Sequence, residues 1–391
     1  MKVFYRVICL YTLVILLTAC GGNAIATGPA ATLTEIPINT SPNATEVTTA
    51  LETLAPIESA DPFEVTVTQQ IMDTAGFHEI STALSETQTI DPEYFSTVTG
   101  VSKVLSQTTW PVDLQDQAHA FINNLTAFAM ALESDNVTDA VALSEIVHDA
   151  QHELSHEIEH WLEDAQASAA DADPFDISVA QQFMNSAGFH EMATALSESQ
   201  TIDPEYFSTV SGVKTVLSHT TWPSELVDQA QPFIESLAAF AAALEADNAA
   251  EAVELSETVH DAQHELSHEI EHWLGDAQAV TTESSEFDLS IAQYFMDEAG
   301  FHEIATALSE TPTIDPEYFS TVSGVQTILS QVVWPSDLND RAQAFIESLG
   351  AFSAALEADN IADAVESSEI VHDAQHELSH SIDHFLEGQA H

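Results

Sequence analysis

Leu114, Ala118, Phe121, Leu125, Phe128 and Leu132 follow one another at alternating steps of four and three residues. That spacing places apolar side chains on one stripe of an α-helix. A second stripe runs through Leu143, Val147, Ala150, Leu154, Ile158 and Trp161, after turn and capping chemistry at Asp135-Asn136. Upstream, Asp91-Pro92-Glu93 reads as an N-cap, a proline in the first helical position and an acid in the first turn. The helix it opens carries Phe95, Val98, Ser102 and Leu105 on one seam and ends near Trp110-Pro111. Before it, a helix from about Phe63 passes through Ile71, Met72, Ala75, Ile80 and Leu84, with a kink or break at Gly76. Strand alternation is absent.

The whole pattern then returns. The segment from His148 to His160 recurs from His260 to His272 and from His372 to His384, offset by 112 residues each time. Four amphipathic helices per copy with short turns predict an all-α protein of three tandem up-down-up-down four-helix bundles. Their bounds are 61–172, 173–284 and 285–391, with short joints near 169–173 and 281–285.

Charge narrows the partners. The chain holds 64 acidic and 5 basic residues, a net charge of −59. Nucleic acid and anionic lipid surfaces are repelled by such a field. Ion pairs are too few to hold the fold together, and apolar packing must do so with a hydrophobic content of 45%.

The N-terminus changes the compartment. Lys2 and Arg6 precede an apolar run over 7–17 and the sequence Leu17-Thr18-Ala19-Cys20, the layout of a secretory signal over residues 1–19. Leu17-Thr18-Ala19-Cys20 resembles the lipobox of bacterial lipoproteins. The resemblance implies acylation of Cys20, an extracytoplasmic place in the cell envelope, and a membrane reached through a lipid anchor only. Loss of the signal leaves Lys103, Lys214 and Arg341 as the only bases, and Cys20 as the only cysteine, which excludes disulfides and thiolate metal sites. Residues 20–60, rich in Thr, Pro and Ala with Pro29, Pro37, Pro42 and Pro56, read as a disordered linker.

The candidate chemistry is histidine. Of 18 histidines, 15 sit at five positions common to the three copies. With Leu154 as reference and about 100° per residue, His152 and His156 fall roughly 160° away, and His148 and His160 roughly 120° away. The file therefore points away from the apolar stripe. Glu145-x-x-His148 and Glu153-x-x-His156 look superficially like ferritin-like di-iron half-sites, but those ligands project inward and have a matching partner helix. Histidines four apart can instead chelate Zn, Cu or Ni as a surface site. The candidate ligands are His148, His152, His156 and His160, then His260, His264, His268 and His272, then His372, His376, His380 and His384. Glu145, Asp149, Glu159 and Glu163 flank the first set. One helix rarely closes a tetrahedral site, so a partner protein or a neighbouring repeat is expected to complete it.

Gly76-Phe77-His78-Glu79 forms a second constellation, repeated as His190 with Glu191 and His302 with Glu303. If the first helix continues through Gly76, these side chains lie near the Ala75 seam and are partly buried, as a structural pair or as a metal or proton site. Phosphate loops, nucleophile elbows and paired inward carboxylates are missing, which argues against an enzyme. Two readings stand. One is a non-enzymatic surface lipoprotein that binds divalent metal ions for scavenging, buffering or delivery. The other is a structural or adhesive acidic module adapted to salt or low pH, with histidines as pH-responsive surface groups.

Overall fold

The computed structural model describes residues 60–165, 172–276, 284–311 and 313–389. The signal, Cys20, the linker up to 59 and most of the two joints lie outside the described residues. Among the described residues every element is a helix, and none is long and apolar enough to cross a membrane.

Each repeat contributes five helices. They are α1 (Pro62–Thr74), α2 (Phe77–Thr87), α3 (Pro92–Gln107), α4 (Gln115–Glu133) and α5 (Val137–Asp164) in the first. The second holds α6 (Pro174–Ser186), α7 (Phe189–Ser199), α8 (Pro204–His219), α9 (Val227–Glu245) and α10 (Ala249–Asp276). The third holds α11 (Glu286–Glu298), α12 (Phe301–Glu310), α13 (Pro316–Gln331), α14 (Asn339–Glu357) and α15 (Ile361–Gln389).

The fifth helix comes from a full break where a kink or break was expected. Gly76 has φ +69°, Gly188 +67° and Gly300 +65°, a left-handed conformation that ends one helix and caps the next. Gly188→Ala should therefore cost about 1 kcal/mol or more through backbone strain. The check is a lower urea midpoint with an unchanged slope; an unchanged midpoint would contradict it.

Local chemistry explains the other boundaries. Asp91 accepts a hydrogen bond from the Glu93 backbone N–H at 3.1 Å, and Asp203 and Asp315 do the same for Glu205 and Glu317. At the far end of α3 the Trp110 indole N–H donates to the Leu105 carbonyl at 2.9 Å, satisfying an orphan acceptor of the last turn. The α4 stripe from Ala118 to Leu132 is buried as the periodicity predicts. In α3 Val98 and Leu105 are buried as expected, but Phe95 is 38% exposed and Ser102 half-buried, and Val101 and Val104 complete the core face.

Packing within a repeat links α3 to α4, α4 to α5, and α2 to α5. The first helix behaves differently. Ten of the 13 residues of α1 are buried, Thr66, Thr68, Gln69 and Gln70 among them, so it is enclosed on nearly every side. It packs on α5 and α3 of its own repeat and on α8 of the second. Likewise α6 packs on α10, α8 and α13, and α11 packs on α15, α13 and α3. The order α1, α8, α6, α13, α11, α3 returns to α1. First and third helices thus alternate around a closed ring of six, and the third repeat seats its first helix on the first repeat.

Side chains repeat the same cyclic order. A Cβ on Gly212 would fall onto the Gln70 side-chain amide, and one on Gly324 onto that of Gln182; at Gly100 it would meet the Tyr294 ring at 3.6 Å. Phe183 and Phe295, from two different first helices, meet edge to face with ring centroids 5.4 Å apart. The seam between the last and first repeats also carries an ion pair of Lys103 with Asp383.

Candidate functional site

The last helix of each repeat has three kinds of surface. Ala140, Val147, Leu154, Ile158 and Leu162 face the core of the first repeat. A narrow polar strip faces α1: Gln69 donates to the Ser155 carbonyl at 3.2 Å, and Gln151 and Ser155 both donate to one Asp73 oxygen at 2.6 Å. Burial raises the Asp73 carboxyl above its usual range. The second repeat builds the same latch with Asn185 accepting from Gln263 at 2.8 Å, and the third with Asp297 accepting from Gln375 at 2.7 Å.

The histidines occupy the remaining face. His152, His156 and His160 are exposed and His148 is half-buried, with the same order in α10 and α15. Their rings do not form one even file. His148 and His152 meet at 4.7 Å between centroids, and His156 and His160 at 4.5 Å, as two separate edge-to-face pairs.

A third imidazole joins the first pair from another helix. His78 lies 5.0 Å from His148, His190 lies 5.0 Å from His260, and His302 lies 5.0 Å from His372. This corrects the expectation that His78 and Glu79 are partly buried along the Ala75 seam: His78, Glu79, His190, Glu191 and His302 are exposed, and Glu303 alone is half-buried. The break at Gly76 is the cause. It restarts the helical phase, so Phe77 and Ile80 take the core positions and His78 swings out toward α5.

In the second and third repeats the paired nitrogens are close. His260 Nε2 and His264 Nε2 are 3.1 Å apart, as are those of His372 and His376. Two nitrogen ligands at about 2.0–2.1 Å on one tetrahedral ion stand roughly 3.3 Å apart, so the pair already has the bite of a chelate. Among the described residues no three His, Cys, Asp or Glu side chains converge on one point as ligands. The third ring is tilted 46° to 47° to its neighbour.

Electrostatics keeps the central imidazoles neutral. Burial first, then the adjacent imidazoles, lower His148, His260 and His372 below the ordinary histidine value of 6.5. A neutral ring is the form that coordinates a metal.

The second pair borders a groove. His160 lines it with Asp113, Leu114, Glu157, Trp161 and Ala165 around a volume of about 330 Å³. His160 Nδ1 is 3.8 Å from Glu163, and His384 Nδ1 is 4.0 Å from Glu387. Gly275 takes that place in the second repeat.

A second titratable group lies inside the ring. Glu64, Asp176 and Asp288 hold the same position in α1, α6 and α11, one turn from the N-termini; Glu64 feels the charge of Asp288, and Asp176 feels that of both Asp288 and Glu64. Burial raises Glu64 to about 7 and Asp288 to about 6, opposed by hydrogen bonds from Thr109 and Ser285 respectively. Asp176 is raised well above its ordinary value, by burial and then by Asp173, Asp288, Asp61 and Glu64. An acid at the third helical position in all three copies was the available signal in the sequence.

No family model, no curated protein and no solved structure matches the chain. Function rests on the site alone.

Proposed function

We propose that the protein is a non-enzymatic lipoprotein of the bacterial cell envelope, anchored through Cys20 and binding divalent transition metal ions on its histidine clusters. In this reading each repeat is an up-down-up-down four-helix bundle that displays its last helix, and residues 20–60 space the ring from the membrane. The 3.1 Å separation of paired Nε2 atoms carries the reading. Zn, Cu and Ni suit imidazole ligands, and a net charge of −59 draws cations toward the surface. Accessible, partly open sites fit scavenging, buffering or delivery better than permanent structural binding.

Calorimetric titration of the mature protein with Zn(II), Cu(II) and Ni(II) is the test. Several sites per chain are expected at about pH 7.5, weaker by about tenfold or more at about pH 5.5 as the imidazoles protonate. A fully filled variant surface lacking His148, His152, His260, His264, His372 and His376 should lose most of the heat. Absence of binding tighter than about 100 µM, some 5 kcal/mol, would overturn the metal reading.

The raised carboxyls inside the ring favour a second reading, an acidic structural or adhesive module suited to low pH or high salt. It expects stability to rise with NaCl and no response specific to a metal.

A further inference from the structure

The groove beside His160 has a chemistry of its own. One wall is the turn that opens α4, closed by the Leu114 N–H on the Pro111 carbonyl at 2.9 Å, and it brings Asp113 and Leu114 to the space. The other wall is the last two turns of α5 and its C-cap, with Glu157, His160, Trp161 and Ala165. Leu114 is buried, and Trp161 is half-buried with part of its surface on the core. Asp113 and Glu157 are exposed. A space of about 330 Å³ thus combines an aromatic ring and apolar carbon with two carboxylates.

Helix geometry adds to the negative sign. The last turn of α5 carries no basic residue, so the negative end of its dipole is left uncompensated at the groove. Among the described residues no lysine or arginine lines it. The occupant must then be a cation, and the apolar share of the walls decides which kind. A hydrated metal ion gains nothing from Trp161 and Leu114, whereas an ammonium ion carrying alkyl groups buries them there and sets its charge against the indole and the carboxylates. We infer that the groove is a binding site for a small organic ammonium ion of the quaternary alkylammonium class. Its volume suits a ligand of that size. The second repeat keeps the set as Glu225, Leu226, Glu269, His272 and Trp273, while the third has Ser381 and Phe385 in place of Glu157 and Trp161. Binding therefore belongs to the first two repeats, and it stands or falls separately from the metal reading.

The experiment titrates the full mature chain with choline chloride and follows the indole N–H resonances of its five tryptophans by NMR. Sodium chloride at equal ionic strength and the neutral isostere of choline, with carbon in place of nitrogen, are run alongside, and Trp161→Phe assigns the Trp161 signal. The Trp161 and Trp273 resonances should shift with choline and saturate, half-way at about 10 mM or below. Trp110, Trp222 and Trp334, whose indoles donate to the Leu105, Leu217 and Leu329 carbonyls, should stay in place and report an intact fold. Asp113→Asn/Glu157→Gln changes two exposed side chains, so it should fold as wild type yet weaken the Trp161 response about tenfold. A Trp161 shift that sodium chloride or the neutral isostere reproduces, or no shift at all, would overturn the site. Undiminished affinity in Asp113→Asn/Glu157→Gln with the three bonded indoles unmoved would overturn it as well.

Discussion

Lowering the pH from about 8 to about 6 is expected to raise the melting temperature of the apo-protein by on the order of 2–5 °C, where most proteins are indifferent to that change. The cause is the acid triad of the ring. A carboxyl that holds its proton more tightly folded than unfolded weakens the fold wherever it is ionised in both states; the weakening fades as pH falls through the folded value toward the unfolded one. For Glu64 that window runs from about 7 down to 4.5, and for Asp288 from about 6 down to 3.8. With each tenfold change in proton affinity worth about 1.4 kcal/mol, Glu64 accounts for roughly 3 kcal/mol over its whole window and about 1.4 kcal/mol of that between pH 8 and 6. Asp176 adds to this in the same direction, less than additively, because part of its rise comes from Asp288 and Glu64.

The histidines oppose the trend. His148, His260 and His372 have folded values below 6.5, so their contribution is present above the unfolded value and is lost as pH falls through 6.5 toward the folded one. They are half-exposed and screened by water, and the triad outweighs them down to about pH 6. Relief of overall self-repulsion adds to the triad. Thermal scans of wild type and of Glu64→Gln/Asp176→Asn/Asp288→Asn between about pH 8 and 5 provide the check. The triple variant should melt higher than wild type at about pH 8 and lose most of the slope. A wild-type Tm that falls steadily from pH 8 to 6, or a variant that keeps the wild-type slope, would contradict the assignment.

Local order was readable from the chain because it is set by near neighbours. The four-three spacing from Ala118 to Leu132, the Asp91-Pro92-Glu93 cap and the rotation of His152 away from Leu154 all depend on residues within a few turns. His78 was misplaced for a local reason too: extending the helix phase across Gly76 puts it beside Ala75, whereas a left-handed glycine starts a new phase. The ring was hidden for another reason. Burial around α1 is foreshadowed by Val65, Val67, Ile71 and Met72, which point to several sides of the helix and must be covered on each, although Thr66, Thr68, Gln69 and Gln70 between them hide how complete the burial is. Nothing in a linear pattern says that the cover is α8, where Gly212 approaches Gln70 from 142 residues downstream. The triad inherits that invisibility, since its members come from three repeats that the ring brings together.

Ring closure makes a prediction that tandem beads would not. A chain of independent bundles would unfold module by module, with damage confined to its neighbours. Here α11 is seated on the first repeat, and Phe295 touches Phe183 of the second. Phe295→Ala should therefore cost about 3–5 kcal/mol through cavity formation, and the loss should spread beyond its own repeat. Amide exchange should quicken in α3 and α6 as well as in α13 and α15, because each loses a packed surface when α11 loosens. Calorimetry of the wild type should give one transition with matching calorimetric and van't Hoff enthalpies. Three resolved transitions, or exchange that quickens in the third repeat alone, would mean that the seams contribute little and that the modules stand by themselves. A single transition that Phe295→Ala shifts as a whole would mean that the unit of stability is the ring.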